Sequence, residues 1–460
     1  MTSTAVVLGG SLAGLLAARA LAETATEVTL VERDFLPVEA APRKGLPQAR
    51  HVHQLWSGGV RALTELVPGI GPLLAEAGVR RHSVTTDMVV LSPYGWYRRW
   101  PESHHMLLAS RDLLDATVRA AVLAHPRIQL LQETEAWGLE GSARAVTGVR
   151  VRHRDGTERT LEADLFVDTT GRSSRTPQWL KELGVPEPDK RVVDSGGAYA
   201  TRLFLAPEAA RDAFPVVNIQ SDPRTGEPGR AGVLLPIENG TWLVTMIGTR
   251  GGEPSPDTGE FDTYARTLRH PLLADLIERA TPLTDVSFTR TMANRRFFYE
   301  KMASWPDNYT VLGDALCALN PAYGHGMSVA AQQALILRDL TTRHRLRGRG
   351  LSRRLQKAVS RPASAAWDLA LGTDVFYPGA AETGPTFRDR ALSAYVNRLL
   401  HTATGNGRIA RAVTDVTSLE RGGHVLLAPS VLLAALAGPL QPALEDAPLT
   451  AEERKRAGLE

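Results

Sequence analysis

The chain carries one cysteine, Cys317, in 460 residues. No intramolecular disulfide can form, and the composition suits a reducing cytosol, so a cytoplasmic protein is expected. An excess of one charge is also missing. The 53 Lys and Arg against 50 Asp and Glu leave +3, and no basic run with interleaved aromatics occurs, so nucleic acid is not an expected partner. No apolar run is long enough for a transmembrane anchor. The longest, His424 to Leu440, is broken by Pro429 and reads as a packed core helix. No leader-like segment with a cleavage site precedes the first strand, so no export signal is expected. The pairs His51/His53 and His104/His105 lack companion ligands, so no metal is expected.

What is present is an ordinary globular composition, 43% hydrophobic and 22% charged, at a length that suits two or three domains. STAVVLGGSLAGLLAARALAETATEVTLVERD, from Ser3, reads as strand, tight turn, helix and strand. A dinucleotide-binding turn needs three small positions: one for the sharp turn, one for close approach of a pyrophosphate, one for helix–strand packing. Gly9, Ser11 and Gly14 fill them, with Gly10, Leu12 and Ala13 between. Ser11 stands where the middle glycine is usual. It stays small and brings a hydroxyl that can meet a phosphate. Glu32 closes the second strand 23 residues after Gly9, near the spacing for a ribose-binding carboxylate, with Arg33 beside it. A carboxylate there disfavours a 2′-phosphate. GNGRIA, Gly405 to Ala410, matches the same pattern, but LLHTATG before it is no strand, so it is rejected.

Along the rest of the chain, residues 57–77 read as helical and 83–108 as strand-like pieces with Trp96, Tyr97 and Trp100, which suit either half-buried strands or a substrate entrance. Ser110 caps a helix running to about His125. Asp155–Gly156 and Glu238–Asn239–Gly240 mark hairpins, and residues 186–290 read as strand-rich. From about 335 to the end the pattern is mostly helical.

VLGDALCALNPAYGHGMSVAAQQA, Val311 to Ala334, resembles the second flavin-binding motif of FAD-dependent aromatic-hydroxylase-type monooxygenases. ADLFVDTTGRSSR, Ala163 to Arg175, occupies the place of their Asp-Gly motif, and Arg111 resembles the arginine of their FAD-contacting helix. PRKGLPQARHVHQLWSGG, Pro42 to Gly59, is similar to a bacterial branch of epoxidases acting on polyene precursors of polyether antibiotics and, more distantly, to squalene epoxidase. The resemblance implies an α/β fold: a Rossmann-like FAD-binding domain (1–78, 106–185, 288–340), an interleaved strand-rich substrate domain (79–105, 186–287) and a C-terminal helical region (341–460).

The same resemblance implies that Gly313 and Asp314 meet the FAD ribityl chain, that Pro321 lies beside the isoalloxazine ring, and that Gly324, Gly326 and Met327 let backbone approach it. Arg43 and Gln48 belong to a loop over the cofactor. No catalytic side chain is implied, because flavin supplies the chemistry through a C4a-hydroperoxide formed with O2. Two departures stand out. Ser11 replaces a glycine, and Thr170 replaces the aspartate of the Asp-Gly motif, which leaves the docking of NADPH or NADH open. A second fingerprint is absent, so the reductant binds transiently or a flavin reductase partner delivers electrons. The substrate expected is a large lipophilic molecule such as a polyketide polyene, epoxidised or hydroxylated. Alternatives are an aromatic polyketide hydroxylase, a flavin halogenase (whose W-x-W-x-I-P motif GWYRRWP does not match), a prenyl-lipid reductase or cyclase, and a non-catalytic FAD-binding protein.

Overall fold

The computed structural model describes residues 3–290, 293–381 and 384–460. Its first layer is a five-stranded parallel sheet in the order Tyr309–Val311, Leu165–Asp168, Thr4–Leu8, Glu27–Val31, Ile128–Leu131. These strands are short apolar runs, as expected where both faces are covered. Helices Leu12–Leu21, Arg111–Leu123 and Gly326–His344 pack together with this layer. The meander Thr134–Gly141, Val146–His153, Glu158–Leu161 turns at Asp155–Gly156, and its Leu139, Val149 and Val151 join the same core.

A second, larger sheet runs Thr281–Pro282, Ala198–Leu205, Thr241–Gly248, Arg230–Pro236, Val216–Ile219, Met88–Ser92, Gly95–Trp96. Met88–Ser92 arrives from a distant part of the sequence and pairs parallel with Val216–Ile219. Side chains alternate across it. Ala200 and Phe204 face a core built with helices Phe261–Arg266 and Leu272–Glu278, while Leu203 and Leu243 join a separate apolar cluster with Trp56 and Met106. Residues 186–290 thus hold two short helices as well as strands. Their leucines at helical spacing, Leu272, Leu273 and Leu276, cover the sheet's outer face.

The C-terminal part is helical: Leu351–Asp374, Phe387–Ala403, Gly407–Thr417, Pro429–Ala437 and Ala451–Arg456. GNGRIA follows the helix Phe387–Ala403 and opens another under an Asn406 cap, which is no nucleotide turn. The run His424–Leu440 departs from the expected core helix. It splits into a 3-10 turn and a nine-residue helix that starts at Pro429 and buries only Val431 and Ala435, one turn apart. Leu427, Leu433, Leu436 and Leu440 are all more than 60% exposed. Pro429 suits the first helical turn, so it starts a new short element rather than extending one. Among the described residues no helix is long and apolar enough to cross a membrane.

Candidate functional site

The strand Thr4–Leu8 ends in a turn whose glycines are imposed by contact. Gly9 has φ +98°, and a Cβ there would lie 2.8 Å from the Thr169 carbonyl oxygen. A Cβ on Gly14 would lie 1.7 Å from the Gly9 carbonyl oxygen, so the helix sits as close to the strand as backbone allows. Ser11 takes the N-cap position with extended backbone but makes no capping bond. Its hydroxyl accepts from Arg111 Nη2 at 3.2 Å.

Glu32 is buried behind the turn. Its Oε2 accepts the Gly10 N–H at 2.6 Å and its Oε1 the Asp34 N–H at 2.8 Å, while Arg43 Nη2 lies 3.1 Å from Oε2. The carboxylate therefore braces the turn and the Arg43 loop, and keeps lone pairs for a further donor. Arg43 Nη1 also donates to the Gly10 carbonyl and to Asp115 Oδ2, both at 3.2 Å. Asp115, 2% exposed, lies 3.0 Å from Arg119 and 3.6 Å from Arg111. Sequence reasoning overlooked Asp115, although Arg111, Asp115 and Arg119 stand at i, i+4 spacing on one helix face.

The second half of the site comes from the end of the chain's long-range core. Gly313, at φ +60°, would place a Cβ 3.0 Å from Ala13 Cβ, so the two glycine segments abut at their smallest residues. Its N–H donates to the buried Gln333 at 2.7 Å. Asp314 faces Arg172 Nε at 3.8 Å. Burial raises the Asp314 carboxyl above its ordinary range, opposed by Arg172, Arg111 and Arg295. Asn320 caps the turn Pro321–Tyr323, and Gly324 follows at φ +64°. A Cβ there would meet Gln54 at 2.9 Å.

These segments enclose a cavity of about 460 Å³. Gly9, Ser11, Leu12, Ala13, Glu32, Arg33, Arg43, Gln48, Arg111, Gly313, Asp314, Pro321, Gly324, Gly326 and Met327 all line it. Gly10 and Gly14 do not; they pack the turn from behind. Thr169 to Ser173, Arg175, Gln54 and His53 also line it. Asp168, wholly buried, accepts from the Thr170 N–H and hydroxyl and from the Ser174 and Thr176 hydroxyls. The carboxylate of this loop thus shapes the turn and does not face the cavity.

The histidine pair is fixed by hydrogen bonds, with His53 in the cavity lining. His51 Nδ1 bonds the Thr201 hydroxyl at 2.7 Å, and burial lowers its pKa to about 4. His53 Nδ1–H donates to the His51 carbonyl at 2.8 Å, and burial, then the Arg111 charge, lower it to about 3. Both rings are neutral near pH 7. His325 Nε2–H donates to the Thr417 carbonyl and His104 pairs with Asp415. Among the described residues no three His, Cys, Asp or Glu side chains gather as metal ligands. Trp96 is core, Tyr97 and Trp100 pack on the C-terminal helices, and none of the three lines the cavity.

The cavity fits an adenine dinucleotide. Both halves carry glycines where a Cβ would collide. The helix N-terminus at Leu12 presents unpaired N–H groups beside the arginines, and the buried Nε atoms of Arg43 and Arg111 have no partner. Residues 1–371 match the FAD binding domain family, and the chain belongs to it. A Mycobacterium tuberculosis relative, Protein Rv3254, is 30% identical over 393 residues, covering 83% of this chain and 82% of the relative. Kynurenine 3-monooxygenase of Salinispora tropica is 29% identical over 374 residues, covering 74% and 72%. The crystal structure of PqsL, a probable FAD-dependent monooxygenase from Pseudomonas aeruginosa, shares the fold with a TM-score of 0.61 at 18% identity, covering 81% of this chain and 97% of PqsL. The chain is therefore an FAD-binding protein with the fold of the PqsL structure.

Proposed function

We propose that this enzyme uses O2 and a reduced nicotinamide to epoxidise a large lipophilic natural-product intermediate, a polyketide polyene being the type case. The observation that carries this reading is the apolar cluster between the large sheet and the flavin-facing loop. Leu203, Leu235 and Leu243 pack there with Met106 and Trp56, whose indole N–H donates to the Tyr323 carbonyl. Phenol hydroxylation gains from a base, whereas alkene epoxidation needs none. His51 and His53, which flank Val52 of that cluster, and His325, whose ring lies 6.1 Å from Trp56, are all made weakly basic by burial, which favours the alkene.

Bound FAD would supply the redox and oxygen-transfer chemistry. Arg111, held by Ser11, and the helix N-terminus at Leu12 would take the pyrophosphate, Glu32 a ribose hydroxyl, and Asp314 a ribityl hydroxyl. Pro321, Gly324 and Met327 would seat the ring, with Arg43 and Gln48 closing the adenosine side. The protein's own task is to orient the substrate and keep water out. Residues 1–78, 106–185 and 288–340 would then form the cofactor half, and 79–105 with 186–287 the substrate half. NADPH or NADH reaches the ring transiently, or a reductase partner delivers the electrons.

The test is incubation of the yellow holoenzyme with NADPH, O2 and paired probes, a lipophilic polyene and a phenol. Oxygen incorporated as an epoxide in the polyene supports the reading. Hydroxylation of the phenol alone overturns it in favour of an aromatic hydroxylase.

A further inference from the structure

The flavin-facing loop is held by a carboxylate that the cofactor motifs do not include. Asp374 ends the helix Leu351–Asp374, three residues beyond the segment that matches the family. It is 3% exposed, and among the described residues no Lys or Arg forms an ion pair with it. Both placements are costly: burial without a cation desolvates the charge, and a helix C-terminus repels an anion. Burial raises its pKa, while three neutral donors oppose the rise.

Those donors come from the strand Asn294–Phe297 and from the loop Asn320–Tyr323. Asn294 Nδ2 donates to Oδ2 at 2.6 Å and Asn320 Nδ2 to the same oxygen at 2.9 Å, while the Tyr323 hydroxyl donates to Oδ1 at 2.6 Å. Asn320 and Tyr323 bracket Pro321 and Ala322, so the two oxygens of one carboxylate grip the two ends of the loop. Asn320 is fixed further: its N–H donates to Asn294 Oδ1 at 2.7 Å, and its own Oδ1 accepts the Ala322 N–H at 3.1 Å and the hydroxyl of the wholly buried Tyr199. Tyr199 belongs to the large sheet. One buried charge therefore ties the loop to the helix Leu351–Asp374 and, through Asn320, to the sheet.

We propose that Asp374 is a positioning residue for the flavin, its buried carboxylate fixing the Pro321–Gly324 loop against the ring through Asn320 and Tyr323. This rests on the loop facing the flavin, as proposed above. Loss of any one of these charge-assisted bonds lets the loop end move, and a buried negative charge near the loop would disfavour added electron density on a flavin seated there, so removing it would raise the flavin's midpoint potential.

The experiment compares purified holoenzyme with Asp374→Asn, Tyr323→Phe and Gly324→Ala, reading FAD dissociation constant, flavin absorption spectrum, midpoint potential and melting of the apoprotein. For Asp374→Asn the expected result is a higher midpoint potential, a shifted flavin band and FAD binding weakened about tenfold, since hydrogen bonds to charged groups are the strong ones. Tyr323→Phe should show the band shift and a smaller loss of affinity with the charge retained. Asp374→Asn with wild-type potential, spectrum and affinity, only its apoprotein melting being lowered, overturns the proposal and leaves a purely structural role. Should Asp374→Asn fail to fold, Tyr323→Phe decides: wild-type spectrum and affinity refute the grip on the loop. Gly324→Ala separates the two readings. If it leaves the flavin spectrum untouched, the loop does not face the ring and the proposal falls with that placement; if it moves the spectrum while Asp374→Asn does not, only the proposal falls.

Discussion

Replacing Gly14 by alanine tests the cofactor turn most severely. The added Cβ would lie 1.7 Å from the Gly9 carbonyl oxygen, against a floor of 3.0 Å for real Cβ contacts. The obstacle is backbone, so no rotamer relieves it, and the helix Leu12–Leu21 must withdraw by more than an ångström. Overpacking of this kind costs about 1–3 kcal/mol of stability. The larger effect falls on the cofactor. Withdrawal stretches the bonds from the helix N-terminus to an anion past useful length, and each hydrogen bond to a charged group contributes about 1.5–3 kcal/mol. Losing two such bonds weakens FAD binding by at least about a hundredfold. Fluorescence titration of the apoprotein with FAD measures this. The effect should be graded. Gly10→Ala, whose Cβ would meet the Glu32 side chain at 2.9 Å, should fall between Gly14→Ala and wild type. Wild-type affinity in Gly14→Ala, or a larger loss in Gly10→Ala, would refute the reasoning.

Ser11→Gly keeps the turn and loses only one acceptor for the Arg111 guanidinium, which Asp115 still holds at 3.6 Å, so FAD affinity should change less than about tenfold; Asp314→Ala, by contrast, should lose FAD at micromolar concentration, both by the same titration. His51 titrates near pH 4 when folded and near 6.5 when unfolded. Between those values the unfolded chain binds the extra proton, so stability is full above about pH 6.5 and falls as pH drops toward 4, by roughly 3 kcal/mol. Apoprotein melting at pH 7 and pH 4.5 should show that loss, and His51→Gln should reduce the difference; an equal slope in both proteins sinks the assignment. Cys317 is 3% exposed and its thiol is pushed up to about 12 by burial. It should resist a thiol-labelling reagent in the native protein at pH 8 and react only in denaturant; fast native labelling would contradict its packing.

Much of the cofactor half was legible because its constraints are local. The Gly9–Gly14 turn, the Ser110 cap and the Asp155–Gly156 hairpin each depend on conformations that few residue types adopt within a few positions. The second glycine segment was legible only through resemblance. What places Gly313 against Ala13 is the parallel pairing of Tyr309–Val311 and of Thr4–Leu8 with the strand Leu165–Asp168 that lies between them, and no local pattern encodes that. The run His424–Leu440 shows the opposite failure. Its composition suits a core, but composition does not reveal whether any surface is available to cover it, and only Val431 and Ala435 find one.

Apart from the loop at Asn320 to Gly326, which resemblance alone pointed to, the sequence by itself determined that there is a strand, a glycine turn and a helix N-terminus of the kind that receives a phosphate, and that Glu32 closes the following strand. These follow from steric limits and unpaired N–H groups that any chain with those residues carries. Only the tertiary structure decided what the charged side chains do there. It turned Asp168 inward to shape its loop, gathered Arg43, Arg111 and Arg119 on Asp115, and brought Asp374 from the far end of a 24-residue helix to the loop Asn320–Tyr323. The physical reason is range. Backbone conformation is set by neighbours in the chain, whereas the partner of a buried charge is whichever group the packing of distant elements delivers within hydrogen-bond reach.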